Sequence, residues 1–304
     1  MDVEITNGLA TGLVTVDEAL HLRSRPDVDV LRVIDPPASS WPLLRAAGYA
    51  IHPSWITWLA PACASEDAFL ARLTGKERRS VRAGQRFVES EGISLKVVTP
   101  LDAQSFDAFL SLYEPQIASM RHGVPYAAME RDEILDSADS YFMVLASSDS
   151  LVGACVCRLR PDISTVVLRF CSTAPSSRQQ RLVRAMYMQV FQTAREMGFR
   201  DISLGSDPAL YGHMAKPGLF TFKSALSFTP VPSRSLGTMD DPDEATLVLR
   251  LSALTDPSLL VSYAPDSSLR ADVFSSGVVD PRAYSAPFLS DVAVVHPEGA
   301  MLKI

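Results

Sequence analysis

Between Ser206 and Lys223 the chain places Ser206, Asp207, Tyr211, His213, Lys216, Phe222 and Lys223, a run dense in groups that bind and move protons. His213 has a side chain whose ordinary pKa suits proton transfer near neutrality. Asp207 adds a carboxylate, Tyr211 a phenol, and Lys216 and Lys223 two ammonium groups. The run follows a strand end, where α/β sheets collect ligand contacts. A loop histidine without chemical duty is the alternative reading of His213. A second set of candidates handles anions. Arg178 and Arg181 flank the expected start of a helix, beside Ser176, where the helix dipole adds to their charge. The third is the most basic stretch of the chain, Lys76, Arg78, Arg79, Arg82 and Arg86. On a helix Arg78, Arg82 and Arg86 align at i, i+4 and i+8. Five cations against the acid Glu77 leave an excess of four. Two readings stay open, a solvated face paired with nearby acids or an anion platform for phosphates, and the excess favours the second.

These residues need elements to hold them. STVVLRF, from Ser164 to Phe170, is rich in β-branched residues and reads as a strand. Pro175 and the serines after it read as the lead into a helix from about Gln179 to Met197, with the serines as N-caps. Leu182, Met186, Val190, Ala194 and Met197 give it one apolar stripe, and Gly198 ends it. RDISLGSD, Arg200 to Asp207, is the next strand, so this β-helix-β unit predicts parallel pairing. Upstream, Tyr141 to Ser147 and Leu151 to Arg160 predict an antiparallel hairpin running into the Ser164 strand. Ser65 is a plausible N-cap for the helix that carries the basic stretch, and TPLDAQSFDAFLSLYEPQIA is a further helix beginning near Thr99 or Asp102. Val28 to Ile34 is a strand stopped by prolines, and His52 reads as a loop or core histidine. A strand is expected at TLVLRLSAL, and the last fifty residues read as an ordered wrap over the domain.

Length and composition set bounds. A chain of 304 residues, 47% hydrophobic and 21% charged, has the balance of a globular protein with a sizeable core. No apolar run reaches the roughly 18 residues of a membrane span, and the acidic N-terminus lacks a signal peptide's positive start, so a cytoplasmic protein is expected. The net charge of −7 excludes a uniformly basic nucleic-acid surface but not a local patch. Cys155 and Cys157 alternate on a strand and read as buried thiols, while Cys63 and Cys171 stand alone. No cysteine pair has zinc-ligand spacing, and no metal is expected.

The order of elements resembles the GNAT acyltransferase superfamily, and more narrowly its Fem-type branch of aminoacyl-tRNA-dependent transferases. Four segments carry the resemblance: LTGKERRSVRAGQRFVESEGISLKVV, SMRHGVPYAAMERDEIL with an R-x-G-x-P loop at Arg121 to Pro125, REMGFRDISLGS, and PGLFTFKSALSFTPVP. Together they span about Leu73 to Pro232. The chain departs from ordinary members where the central helix begins. Arg178 to Val183 contains no glycine, whereas coenzyme-A users place glycines there so that backbone N–H groups approach a pyrophosphate.

The resemblance implies an α/β fold with a central mixed sheet flanked by helices, a truncated N-terminal GNAT-like half and a C-terminal extension. The boundaries expected are 1–92, 93–235 and 236–304. It implies an N-acyltransferase that moves an aminoacyl group from aminoacyl-tRNA to a small-molecule amine, with no bound cofactor. An acyl-CoA-dependent N-acyltransferase and a non-catalytic GNAT-like binding module are the alternatives. Such aminolysis needs an amine held in line, a proton acceptor, and stabilisation of charge on the carbonyl oxygen. By resemblance Lys223, the lysine of the F-K pair, supplies the last of these, with Phe222 as a wall for the donor. His213 and Asp207 are the candidate proton acceptors. Tyr211, Ser206, Lys216, Arg121 and His122 are candidate substrate contacts, and Lys76, Arg78, Arg79, Arg82, Arg178 and Arg181 are candidate donor-phosphate contacts.

Overall fold

Alternation of small and branched apolar residues in Tyr141–Arg160 produces a hairpin, and the sheet grows outward from it. In the computed structural model, which describes residues 1–22, 25–237 and 241–297 and only the backbone of Arg178, Gln179 and Gln180, the chain begins with β1 (Asp2–Thr6), β2 (Leu9–Leu13), α1 (Val16–His21), β3 (Val30–Ile34), α2 (Trp41–Ala46) and β4 (Ala50–Pro53). It continues through β5 (Trp55–Pro61), α3 (Glu66–Arg72), α4 (Gly75–Ser90), β6 (Ser94–Val98) and α5 (Ala103–Ala118). The short helices α6 (Tyr126–Met129) and α7 (Arg131–Asp136) lead into β7 (Tyr141–Ser147), β8 (Leu151–Arg160), β9 (Thr165–Thr173), α8 (Leu182–Glu196) and β10 (Asp201–Pro208). Last come β11 (Leu210–Tyr211), α9 (Pro217–Ala225), β12 (Thr229–Pro232), β13 (Asp243–Val248), β14 (Ser258–Tyr263), β15 (Leu269–Phe274) and β16 (Val292–Val295).

These elements form two compact units that do not follow chain order. The first comprises Met1–Thr57, Ser206–Ser224 and Thr229–Ile304; the second comprises Trp58–Gly205 and Ala225–Phe228. The expected boundary at 92/93 falls inside the second unit and that at 235/236 inside the first.

In the second unit the strand order is β5-β10-β9-β8-β7-β6. β6, β7, β8 and β9 are antiparallel neighbours, and β10 runs parallel to β9, as the β-helix-β reading requires. α5 covers one face, with Asp102 as its N-cap and Phe106, Phe109 and Tyr113 packed on Met143, Ala154 and Val156. The other face takes α8, whose Met186, Val190 and Phe191 are buried; Phe191 packs on Phe69 and Phe228, with ring centroids 4.3 and 5.9 Å away. The helix expected to run on from Ser65 is two helices. Ser65 does cap α3, but Leu73 and Thr74 are extended, and the Thr74 hydroxyl accepts from the Glu77 amide at 3.2 Å to start α4. Side-chain capping at Thr74 outcompetes a straight-through helix.

α4 and α8 meet backbone to backbone. A Cβ at Gly84 would lie 2.5 Å from the Arg181 carbonyl oxygen, closer than atoms tolerate. Alanine would gain about 1 kcal/mol of helix propensity at this site. The clash is with backbone, which cannot swing aside, and overpacking of this kind costs about 1–3 kcal/mol. Gly84→Ala should therefore lower stability by up to about 2 kcal/mol in denaturant titration, the propensity gain offsetting part of the clash, whereas Ala83→Gly, on the same helix, should cost only its propensity.

In the first unit the five-stranded sheet has the order β1-β2-β3-β13-β4. β13, from the far end of the chain, is antiparallel to both β3 and β4. Its core side holds Val14, Leu31, Val33, Leu44, Ile51 and Ala245. The expected strand at TLVLRLSAL thus begins earlier, at Asp243, and is interior to a sheet. Residues 255–297, expected as part of a wrap, form a sheet instead. β14, β15 and β16 join β11 in a four-stranded sheet ordered β11-β14-β15-β16. Apolar alternation in SLLVSY and LRADVF buries Leu259, Val261, Ala271 and Val273 completely, which a loose covering segment would not do.

Candidate functional site

α9 and the end of β10 bring three of the singled-out side chains together inside the first unit. The Lys223 ammonium donates to Asp207 Oδ2 at 2.8 Å, and the Tyr211 hydroxyl donates to the same oxygen at 2.8 Å. Lys223 is only 5% exposed, Asp207 7% and Tyr211 not at all. Lys223 is therefore not a surface lysine opening a helix but a buried cation in the second half of α9. Burial pulls its pKa below the usual lysine value, and the Asp207 charge and hydrogen bond pull it back. Tyr211 also stacks edge-on to Phe220 at 5.7 Å, which fixes the phenol. Oδ2 of Asp207 accepts two hydrogen bonds, so the geometry suits an anchor better than a free base.

His213, two residues on, is 7% exposed and donates Nε2–H to the Asn7 carbonyl at 3.2 Å. A backbone carbonyl can only accept, so the neutral ring carries its lone pair on Nδ1. Ser206 joins a hydroxyl chain instead: its Oγ lies 2.8 Å from Thr57 Oγ1, which is 2.8 Å from Ser233 Oγ. Lys216 is exposed and Phe222 half-buried.

His52 is the core histidine expected. It is 3% exposed on β4, with Nδ1 2.9 Å from the Pro53 carbonyl and Nε2 2.9 Å from Thr246 Oγ1. Burial lowers its pKa, against the opposing charge of Glu244. The unfolded state, with a pKa near 6.5, then binds the proton more readily than the folded one. This contribution is fully present above about pH 6.5 and is lost as pH falls toward the depressed folded value, by at most about 1.4 kcal/mol per unit. His52→Gln should flatten the fall in melting temperature between pH 6.5 and 5; an identical profile would refute the assignment.

The second unit carries the anion candidates. α8 does not begin at Gln179, nor do the serines cap it. Pro175–Gln180 is a tight 3₁₀ turn, and the helix starts at Leu182 behind Arg181, whose φ of 61° and ψ of 22° are left-handed. That conformation suits glycine, and arginine occupies it at a cost of about 1–2 kcal/mol. The glycine missing from this entrance is found opposite it, as Gly84 on α4. The Arg181 side chain is exposed, while that of Arg178 lies outside the described residues.

β9 and β10 pair for only three registered positions, Thr165–Asp201 to Val167–Ser203, and the rest of β9 has no such pairing to β10. Gly153 stands opposite Thr173 at the end of β9, and a Cβ there would meet Met186 and Leu182 of α8 at 3.0 and 3.2 Å. The start of α8 therefore lies at the end of β9, on the side toward which the two strands have parted. A helix N-terminus presents backbone N–H groups and the positive end of the helix dipole, which favour an anion. Next to it, Lys76, Arg78, Arg79, Arg82 and Arg86 are all exposed on α4, and among the described residues none pairs with a carboxylate within 4.0 Å. Glu77, the acid of this stretch, is buried and turned to Arg184 of α8.

Arg121 is exposed and His122 half-buried in the loop before α6. Arg169 lies inside β9. It is the extra residue of a bulge, since Val156 pairs with Phe170 and Cys157 with Leu168. Its guanidinium is held by the Glu130 carboxylate and donates to the Tyr141 hydroxyl at 3.0 Å. Cys155 and Cys157 are buried thiols with pKa values raised by burial, as expected. Cys171 does not stand alone: its sulfur is 3.2 Å from that of Cys155, its cross-strand partner. Among the described residues no three His, Cys, Asp or Glu side chains are grouped to hold a metal. No described helix is long and apolar enough to cross a membrane. Sequence reasoning passed over Gly84, although an isolated glycine in a helical pattern is itself a signal of close approach.

Residues 106–211 match the acetyltransferase (GNAT) family. Curated proteins give no match. Among solved structures, FemX is 12% identical over 79% of this chain and 81% of its own, with a TM-score of 0.49. The C-terminal domain of a putative lysylphosphatidylglycerol synthetase from Agrobacterium fabrum is 13% identical over 71% and 67%, with a TM-score of 0.43. A putative GNAT-family acetyltransferase from Desulfovibrio desulfuricans is 21% identical over 35% and 68%, with a TM-score of 0.30. Residues 106–211, with β7 to β10 and the helix α8 between them, form a domain of the acetyltransferase (GNAT) family, which makes the protein an acyltransferase.

Proposed function

We propose that the protein transfers an aminoacyl group from aminoacyl-tRNA to the amine of a small molecule. One observation carries the choice of donor. In a chain of net charge −7, the exposed cations of α4 are packed, through Gly84, against the entrance of α8 at Arg181. A row of uncompensated guanidinium groups beside a helix N-terminus suits a polyphosphate backbone running up to an activated end. The glycine-free entrance supports the same reading, because the αL arginine projects a side chain where a coenzyme-A cradle would need bare backbone.

In the reaction the acceptor nitrogen attacks the ester carbonyl carbon of the donor. The C–N bond forms, the C–O bond to the terminal ribose breaks, the nitrogen loses a proton and the ribose oxygen gains one. His213 is the proposed proton acceptor for the first transfer. Lys223 holds positive charge in a site screened from water, where it would favour charge developing on the carbonyl oxygen. Asp207 and Tyr211 are positioning residues that fix Lys223 and the segment leading to His213. Phe222, Lys216, Ser206, Arg121 and His122 are proposed substrate contacts, and Arg178 and Arg181 join the α4 cations at the donor.

The helix start beside parted strands would serve acyl-CoA as well, and that is the second reading. The test is transfer of radiolabelled amino acid from charged tRNA to amine acceptors, with and without ribonuclease. Loss of product on ribonuclease treatment is expected. Thermal protection by coenzyme A, with no response to tRNA, would reverse the assignment.

A further inference from the structure

Strand alternation gives the five-stranded sheet two unlike faces. Leu31, Val33, Ile51 and Ala245 face the core. Their neighbours in sequence put Glu4 opposite Thr11, and then Arg32, Glu244 and His52, onto the other face, Glu244 and His52 as register partners. This polar face is not simply solvated. Thr11 is 7% exposed and His52 3%, and Trp55, Pro208, Leu210 and His213 wall a cleft of about 270 Å³ above it. Chain that merely covered a sheet would meet apolar side chains, because burying polar groups against apolar walls is costly. Polar groups converging in a partly apolar cleft are the composition of a small-ligand site.

The charges in the cleft do not balance. Arg32 Nε lies 3.1 Å from Glu244 Oε2, and His52 Nε2 is 3.8 Å from the same oxygen. Burial keeps His52 neutral, so it brings no charge. Glu4, on the exposed edge strand, has no ion pair among the described residues. Of two carboxylates in the cleft only Glu244 has a guanidinium partner, and Glu4 is left over, in a cleft that also holds an indole whose face attracts cations.

We propose that this cleft, lined by Glu4, Glu244 and Trp55, binds a small primary amine as its ammonium, with the unpaired Glu4 supplying the compensating charge, and that it is the acceptor's seat. The second clause rests on the transfer reaction proposed above; the first stands without it. The volume suits a molecule smaller than a drug-sized ligand. His213, the proton acceptor proposed above, lines the same cleft.

Calorimetric titration of the full chain with three five-carbon probes tests the proposal: cadaverine, 5-aminopentanoate and glutarate. Cadaverine should bind and glutarate should not. Glu4→Gln, at an exposed position, should weaken cadaverine about fivefold with an unchanged melting temperature. Glutarate binding as well as cadaverine, no heat from cadaverine, or full affinity in Glu4→Gln would each overturn it. Because binding is read without a donor, the two readings fail separately. Cadaverine binding without transfer from charged tRNA would leave the cleft standing and remove the reaction. Transfer unaffected by Glu4→Gln would remove the cleft as the acceptor's seat and leave the reaction.

Discussion

Asp207→Ala should lower the unfolding free energy by about 3–5 kcal/mol, because Lys223 then loses the carboxylate that compensates its buried charge. The pair is deep enough for the full effect, with side chains 6% and 9% exposed, so solvent screening does not discount it. Tyr211 loses its acceptor on the same oxygen, which adds to the cost. A paired replacement separates stability from chemistry. Asp207→Leu with Lys223→Met removes both charges and keeps bulk, and such exchanges are often neutral or stabilising. The double variant should therefore regain most of the stability lost by Asp207→Ala, as read by denaturant titration, while transfer remains at least a hundredfold down. Wild-type transfer by the double variant would show that Lys223 does no electrostatic work and only holds α9.

The second large effect concerns the donor. Replacing Arg78, Arg82 and Arg86 together by alanine should weaken tRNA binding about a hundredfold at low salt, if each cation contributes about 1 kcal/mol. The slope of log affinity against log salt should become shallower by about 2, since roughly 0.7–0.9 of a counterion is released per phosphate contact. All three side chains are exposed and make no ion pair among the described residues, so stability should move by no more than about 0.5 kcal/mol. An unchanged salt slope would sink the phosphate role and return α4 to a solvated face.

Much of this was legible before any coordinates. The hairpin into β9, the helix stripe from Leu182 to Ala194 and the parallel return of β10 all follow from local periodicity, which depends only on neighbours in sequence. The Asp102 and Ser65 caps were readable for the same reason. The excess charge of Lys76 to Arg86 is likewise a property of the chain itself, and it forecast an exposed face because so many uncompensated cations do not bury.

Other features arise only when distant segments meet. Asp243–Val248 reads as a strand, but that it lies between β3 and β4 depends on hydrogen bonds to residues some two hundred positions away. Lys223 was singled out in the sequence by resemblance, but that it is a buried cation paired with Asp207 depends on α9 turning it inward. The left-handed Arg181 sets its carbonyl against Gly84 of α4, a contact between helices that no local pattern encodes. The sequence by itself determined which segments are strands and helices and where charge accumulates, since those depend on short-range sterics and composition. Tertiary structure decided which charges pair, which are left over and which polar face is covered, since those depend on burial.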